Sequence, residues 1–237
     1  MLHISTAFLG RCLSLVLLVL GIGRLGVGLY AFRVANGLEK PHFEILRRLG
    51  GGVELRRYAP YVIAETEVLT ASMREGSSVG FRRVAGYIFG RNRPCEKLKM
   101  TAPVRISQRG EAAGVQMKMT APVRLAPATT GKTRVSFVME KGYTPGNAPR
   151  PTDRNVRVRN VSPHILAARR FSGPPPSERR VARERQRLLE ALDANGLKLA
   201  SGADGEETLV YGYHDPFITP SFLRRNEVCV RVSDSGV

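Results

Sequence analysis

From residue 43 onward the chain runs in short apolar stretches set off by turn residues. "FEILRRL" and "VELRRY" read as extended segments separated by Gly50, Gly51 and Gly52, and "YVIAETEV" follows Pro60 as a third strand. Phe81, Val84, Ala85 and Ile88 then fall at i, i+3, i+4 and i+7, which is one face of an amphipathic helix. Ser77 or Ser78 is placed to cap its start, and Gly90 to end it. Past Gly131 the order recurs. "RVSFVME" reads as a strand, a Pro/Gly loop covers 143–151, "VRVRNV" alternates apolar residues with Arg, and "HILAARRF" follows Pro163 as "YVIAETEV" follows Pro60. A second helix is expected over 177–195, with Val181, Leu188, Leu189 and Leu192 apolar and Gly196 as its stop. "TLVYGYH" and "EVCVRV" close the chain as strands.

Between the two sets lies a heptapeptide written twice, KMTAPVR at 99–105 and again at 118–124. Met, Ala and Val alternate within it, as in a strand with one buried face. Pro103 and Pro122 cannot donate to a ladder, which puts each copy at a sheet edge or bulge. The pair is expected to form the arms of one hairpin, presenting Met100 and Met119 to a shared apolar space. Core packing and ligand contact both stay open for the two methionines. Helices separated by several strands indicate an antiparallel α+β fold. Two pseudo-symmetric halves of antiparallel strands, with one helix each, would form a distorted barrel or curved sheet. The folded domain is expected over 41–237.

Ahead of it, residues 13–22 ("LSLVLLVLGI") are uninterruptedly apolar and follow Arg11. That length suits a signal-peptide core of about 7–15 residues. The wider window 8–32 reaches span length with Arg24 inside it, a charge that costs about 2.5–3.5 kcal/mol at a helix centre. Residues 1–40 are therefore read as a signal or membrane anchor plus linker, leaving the protein membrane-anchored or exported, with an organellar address open. "GIGRLG" at 21–26 matches a dinucleotide fingerprint, but Gly26 and Gly28 weaken the helix it needs, and no alternating strand and helix follows.

Composition adds little to the fold and more to the partners. The 237 residues are 43% hydrophobic, enough for a core without disulfide staples. The net charge of +17 invites anionic partners. It is spread as Arg pairs without interleaved aromatics, so no specific nucleic-acid partner is expected. Cys12, Cys95 and Cys229 lack metal-ligand spacing, and a single Cys95–Cys229 bridge stays open. "GSSVG" at 76–80 matches a nucleophile elbow around Ser78, with His164 and His214 downstream. The polar, turn-like "TASMRE" before it is not the buried strand that motif requires. No metal-site spacing appears among the four His, and His164 is the one metal-ligand candidate kept.

The stretches "VELRRYAPYVIAETEV", "GFRRVAGYIFGRN", the doubled "KMTAPV", "FVMEKGY", "PRPTDRNVRVRNVSPHILAARRFSG" and "YHDPF…PSFLRRNEVCVRV" together resemble the SOUL heme-binding protein family, from about residue 43 to 232. The resemblance implies a pseudo-twofold α+β domain and a non-covalent heme or other tetrapyrrole in an apolar groove beside the Phe81 helix. It implies Phe81, Val84, Ala85 and Ile88 as lining, with the 216–222 loop nearby. Met100 and Met119 join them as candidates. Arg82, Arg83, Arg224 and Arg225 would meet the propionates. The chain departs from the family at Arg57, where some members carry a His proposed as an axial iron ligand. Basic residues of other members correspond here to Ser78 and Gly86. The implied role is a tetrapyrrole carrier or buffer. The alternatives are an enzyme acting on a tetrapyrrole, such as one removing its metal, and a protein-interaction module of the same fold without heme.

Overall fold

The computed structural model describes residues 6–70, 72–93, 98, 101–109, 131–201, 207–215 and 217–234. Helix α1 (Thr6–Asn36) precedes everything else. The hairpin β1 (Phe43–Gly50) and β2 (Val53–Tyr58) follows, then β3 (Tyr61–Leu69), α2 (Met73–Ile88) and the short β4 (Asn92–Arg93). Next come β5 (Val104–Arg109), β6 (Lys132–Val138), the short β7 (Arg150–Pro151), β8 (Val156–Val161), β9 (His164–Phe171) and α3 (Glu178–Asp193). The chain closes with β10 (Thr208–Gly212), a 3-10 turn at Ser221–Leu223 and β11 (Asn226–Arg231).

Nine strands form one curled antiparallel sheet in the order β1-β2-β9-β11-β10-β5-β6-β3-β8, and β4 pairs with β7 apart from it. Read outward from the β5–β10 pair, β6, β3 and β8 on one side correspond to β11, β9 and β2 on the other, with α2 and α3 following β3 and β9 in the chain, while β1 extends the second side without a counterpart. The expected α+β curved sheet is thus what forms. The sheet-edge expectation for the first KMTAPVR copy is corrected. Only Val104 and Arg105 of the first copy are in a strand, and β5 has β10 on one side and β6 on the other. A central strand offers no edge for Pro103, which instead sits just before the ladder begins. The second copy, Met100, Met119 and Cys95 lie outside the described residues.

Period-2 alternation sends each strand's residues to two buried faces. The convex face packs under the helices. Val53, Leu55, Ile165, Ala167 and Val230 meet Leu188 and Leu192 of α3. Ala64, Val135, Phe137 and Val156 meet Val84, Tyr87 and Ile88 of α2. The concave face mixes aromatics with charge: Tyr58, Leu166, Ala168, Tyr211, Tyr213 and Cys229 cluster there, beside buried Arg56, Arg105, Glu207 and Glu227. The segment after α1 closes over this face. Leu38 and Phe43 pack on the aromatic cluster, and Ala102 N donates to Glu39 O at 3.0 Å. Among the described residues no helix is long and apolar enough to cross a membrane.

Candidate functional site

The α2 helix begins earlier than the sequence suggested. Ser72 is the N-cap, its Oγ accepting from Glu75 N at 3.3 Å. Ser72 and Glu75 thus have the S-x-x-E spacing of a capping box, although the Glu75 carboxylate accepts from Thr70 Oγ1 instead, at 3.0 Å. Ser77 and Ser78 are therefore not caps but lie within the helix, Ser77 Oγ donating back to Met73 O. Gly90 follows the helix at a φ of 110°, as expected of its stop. The "GSSVG" motif finds its explanation here too. A Cβ on Gly76 would stand 2.5 Å from Thr133 Cβ, and one on Gly80 would stand 2.5 Å from Val135 Cγ2. The two glycines let α2 lie directly on β6, and Ser78 faces outward from a helix rather than from a strand-to-helix turn.

The apolar stripe that announced this helix is the one that packs. Val84, Ala85 and Ile88 are buried against the sheet. Phe81 is 40% exposed, its ring tilted against Phe137 with centroids 5.3 Å apart. The outward stripe, Glu75, Ser78, Val79 and Arg82, joins Ser72 and Arg74 around a cavity of about 400 Å³. It is an open depression on the helix surface rather than an enclosed pocket. Two guanidinium groups, Arg74 and Arg82, and the Val79 side chain face it together. Sequence periodicity marks the buried stripe because apolar residues repeat there. The outward stripe carries no such signal: Arg82 alone of it was named as a ligand contact, and Ser78 only as a cap or motif residue and as the counterpart of a basic residue in the family.

The remaining candidates sit elsewhere. Arg224 Nε donates to Thr219 O at 2.7 Å, holding the loop between β10 and β11. Arg225 Nε and Nη2 donate to Glu227 Oε1 at 2.9 and 2.6 Å. Glu227, wholly buried, also accepts from Arg56 Nη1 at 2.9 Å and from Tyr213 Oη at 2.7 Å, both on Oε2. Arg56 in turn donates to Glu54 Oε2 through Nε and Nη2, at 2.9 and 2.7 Å. Burial by itself would raise the Glu227 carboxyl, but the hydrogen bond and charge of Arg56, with Arg225 and Tyr213, hold it below the carboxylate range. The same pairing outweighs burial at Arg56 and raises its pKa. This ion cluster was missed by sequence reasoning. Its only sign is a charge in an otherwise apolar alternating position, Glu227 with Cys229 and Arg56 with Tyr58.

Both histidines singled out are held by ring contacts and backbone hydrogen bonds. His164 stacks on Tyr58, centroids 5.3 Å apart and planes 5° apart, and its Nδ1 lies 2.7 Å from Ser162 O. His214 Nδ1 accepts from Arg225 N at 3.0 Å, which leaves the proton on Nε2. Burial, together with Lys40, Arg225 and Arg170, lowers its pKa. Among the described residues no group of three or more His, Cys, Asp or Glu is arranged to hold a metal ion. Arg57 is exposed on the face away from the ion cluster, 3.7 Å from Glu44 Oε2.

Against this geometry, the family described as "SOUL heme-binding protein" matches residues 38–231. No curated protein matches the sequence. Solved structures share the fold at low identity. The EcmrR C-terminal domain has a TM-score of 0.51 and 12% identity over 76% of this chain and 96% of that one. An uncharacterized conserved protein from Listeria innocua has a TM-score of 0.54 and 8% identity over 76% and 92%. EcmrR in its complex with DNA and RPo has a TM-score of 0.54 and 8% identity over 98% and 73%. At such identities the likeness concerns the fold alone.

Proposed function

The chain belongs to the SOUL heme-binding protein family, and from that premise we propose that it binds a tetrapyrrole on the outer face of α2. It does so non-covalently, as a carrier or buffer of heme or metal-free porphyrin. The observation that carries the assignment is the cavity beside Ser78 and Val79, with Arg74 and Arg82 on its wall. A tetrapyrrole presents a flat apolar ring and carboxylate side chains. The two Arg groups suit the carboxylates, since charge-assisted contacts to Arg are strong and two-pronged. Val79 offers apolar surface to the ring, and Ser78 is small enough to let it approach. The fit does not extend to an axial iron ligand among the described residues, where no His, Cys or Met lines the cavity. When bound, an iron porphyrin would supply the metal and the protein the pocket. Val84, Ala85 and Ile88 support the site from beneath by fixing α2 to the sheet. The same reading attaches the chain to a membrane through its N-terminal segment.

Titration of the full chain with heme and with metal-free porphyrin, followed by absorbance and fluorescence, tests the site. Ser78→Trp fills the cavity and Arg82→Glu reverses a charge, and both sit on an exposed helix face. Each is expected to weaken the two ligands alike, by about tenfold or more from the lost charged contact or volume. His164→Ala is expected to leave both affinities close to the parent's. Unchanged binding in Ser78→Trp, with an intact circular dichroism spectrum, would move the site away from α2. A loss confined to heme would instead reveal an iron ligand.

A further inference from the structure

Three large apolar side chains stand out from one loop. Between β10 and β11, Phe217 is 83% exposed, Phe222 69% and Ile218 48%. They are not the product of a slack segment. Asp215 Oδ1 accepts from Phe217 N at 2.7 Å and Ile218 N at 2.8 Å. Gly173 N donates to Ser221 O at 3.0 Å, and Arg224 Nε clamps Thr219 O. The fold holds these side chains in water, where a cluster of this kind marks a binding surface.

What lies beside the loop indicates what covers it. Helix α1 packs on it at Gly28, where a Cβ would stand 2.7 Å from Pro220 Cδ and 3.0 Å from Ile218 O. One turn on, Phe32 stacks on His214 with centroids 5.0 Å apart and planes 14° apart. So α1 meets the domain at the apolar loop, and further apolar residues of α1 are exposed around it. Ile22, Leu25, Val27, Leu29, Tyr30 and Val34 are all exposed. The charge around this surface is mainly positive, with Glu39 beside Lys40 and Asp215 in the loop as the acids near it. Residues 1–38 contain no Asp or Glu, whereas Arg24 and Arg33 lie on α1, with Lys40 and Arg224 close by in the chain. The one acid in the loop, Asp215, is occupied by its two backbone donors. Aromatic and aliphatic side chains ringed by cations are what the headgroup boundary of an anionic bilayer takes up.

We propose that the 217–222 loop is a second membrane contact, which docks with α1 on an anionic lipid surface and inserts Phe217, Ile218 and Phe222 at the headgroup boundary. The proposal rests on the membrane reading of the N-terminal segment and extends it. The segment attaches the chain, and the loop fixes how the domain lies on the bilayer.

The natural sequence contains no Trp, so one introduced Trp reports its own surroundings. The full chain carrying Phe217→Trp is reconstituted with phosphatidylcholine vesicles, with and without phosphatidylserine, whose acyl chains are brominated. The expected result is flotation with the vesicles, a blue-shifted Trp emission and quenching by the brominated lipid, stronger with phosphatidylserine. Leu69→Trp, exposed at the other end of the sheet, should stay unquenched. Gly28→Leu, which parts α1 from the loop, should remove quenching at position 217 while flotation persists. Flotation with an unquenched Trp at 217 overturns the loop contact and leaves the N-terminal attachment standing. No flotation at all overturns both. A blue shift without lipid, together with a doubled particle mass, overturns the proposal in favour of a second copy of the chain covering the loop.

Discussion

Glu227→Ala is expected to cost the domain about 3–5 kcal/mol, the usual cost of removing one partner from a buried ion pair. The side chain is wholly buried and accepts from two guanidinium groups and a phenol. Removing it leaves Arg56, itself 2% exposed, with Glu54 as its remaining carboxylate partner among the described residues. Glu227→Gln keeps the shape and loses the charge, and should still cost more than half as much. The pH dependence follows from the direction of the shift. The folded carboxyl titrates below its ordinary value of 4.5, so the folded state binds its proton less readily than the unfolded chain. Its contribution to stability is complete above about 4.5 and is lost as the pH falls through the lower, folded value. Urea unfolding followed by circular dichroism should therefore show a parent acid limb that is flatter in Glu227→Gln. A loss below about 1 kcal/mol in Glu227→Ala would mean that the cluster contributes little.

Gly80→Ala is the second large effect, and its sign is the test. In an exposed helix the change would gain about 0.8–1.0 kcal/mol of propensity. At this position the new Cβ falls 2.5 Å from Val135 Cγ2 and 2.8 Å from Val135 Cβ. Val135 is wholly buried and branched at that carbon, so it has no flexible end to yield. Overpacking costs about 1–3 kcal/mol, enough to reverse the propensity gain, and Gly80→Leu should cost more still by lifting α2 off β6. Ser78→Ala, on the outward face two residues earlier, should be neutral or slightly stabilising. Thermal unfolding of the three variants reads the order directly. A rise in Tm for Gly80→Ala would show that α2 does not lie as close to β6 as this geometry requires.

Much of the fold is legible in particular residues. The second helix begins where it was expected, at Ser177, whose Oγ caps α3 by accepting from Arg180 N at 3.3 Å, and Gly196 follows that helix at a φ of 67°. "VELRRY", "YVIAETEV", "VRVRNV" and "HILAARRF" are strands within a residue or so of their apolar runs. The start of α2 was misjudged because "TASMRE" is polar, and a helix's first turn is polar when it faces solvent. The KMTAPVR strand was misjudged because alternation over seven residues cannot say which neighbours flank it. Local composition does not report a ladder partner that lies a hundred residues away, as β10 does from β5.

By itself, then, the sequence determined the element order, the helix stops, the α+β class and the family likeness. These are set by near neighbours, through side-chain period, capping and turn residues. The tertiary structure alone decided which surfaces remain to do anything. Val84 and Ile88 became core because β3 and β6 cover them, which left Val79 and Arg82 facing the cavity. Arg56 and Glu227, 171 residues apart, became partners only because β2 and β11 flank β9 and send both to the concave face. Phe217 and Phe222 became a surface because the β10–β11 loop packs against Gly28 of α1. Burial is a property of pairs of distant segments, and a linear pattern shows each residue's periodicity but not the segment that will cover it.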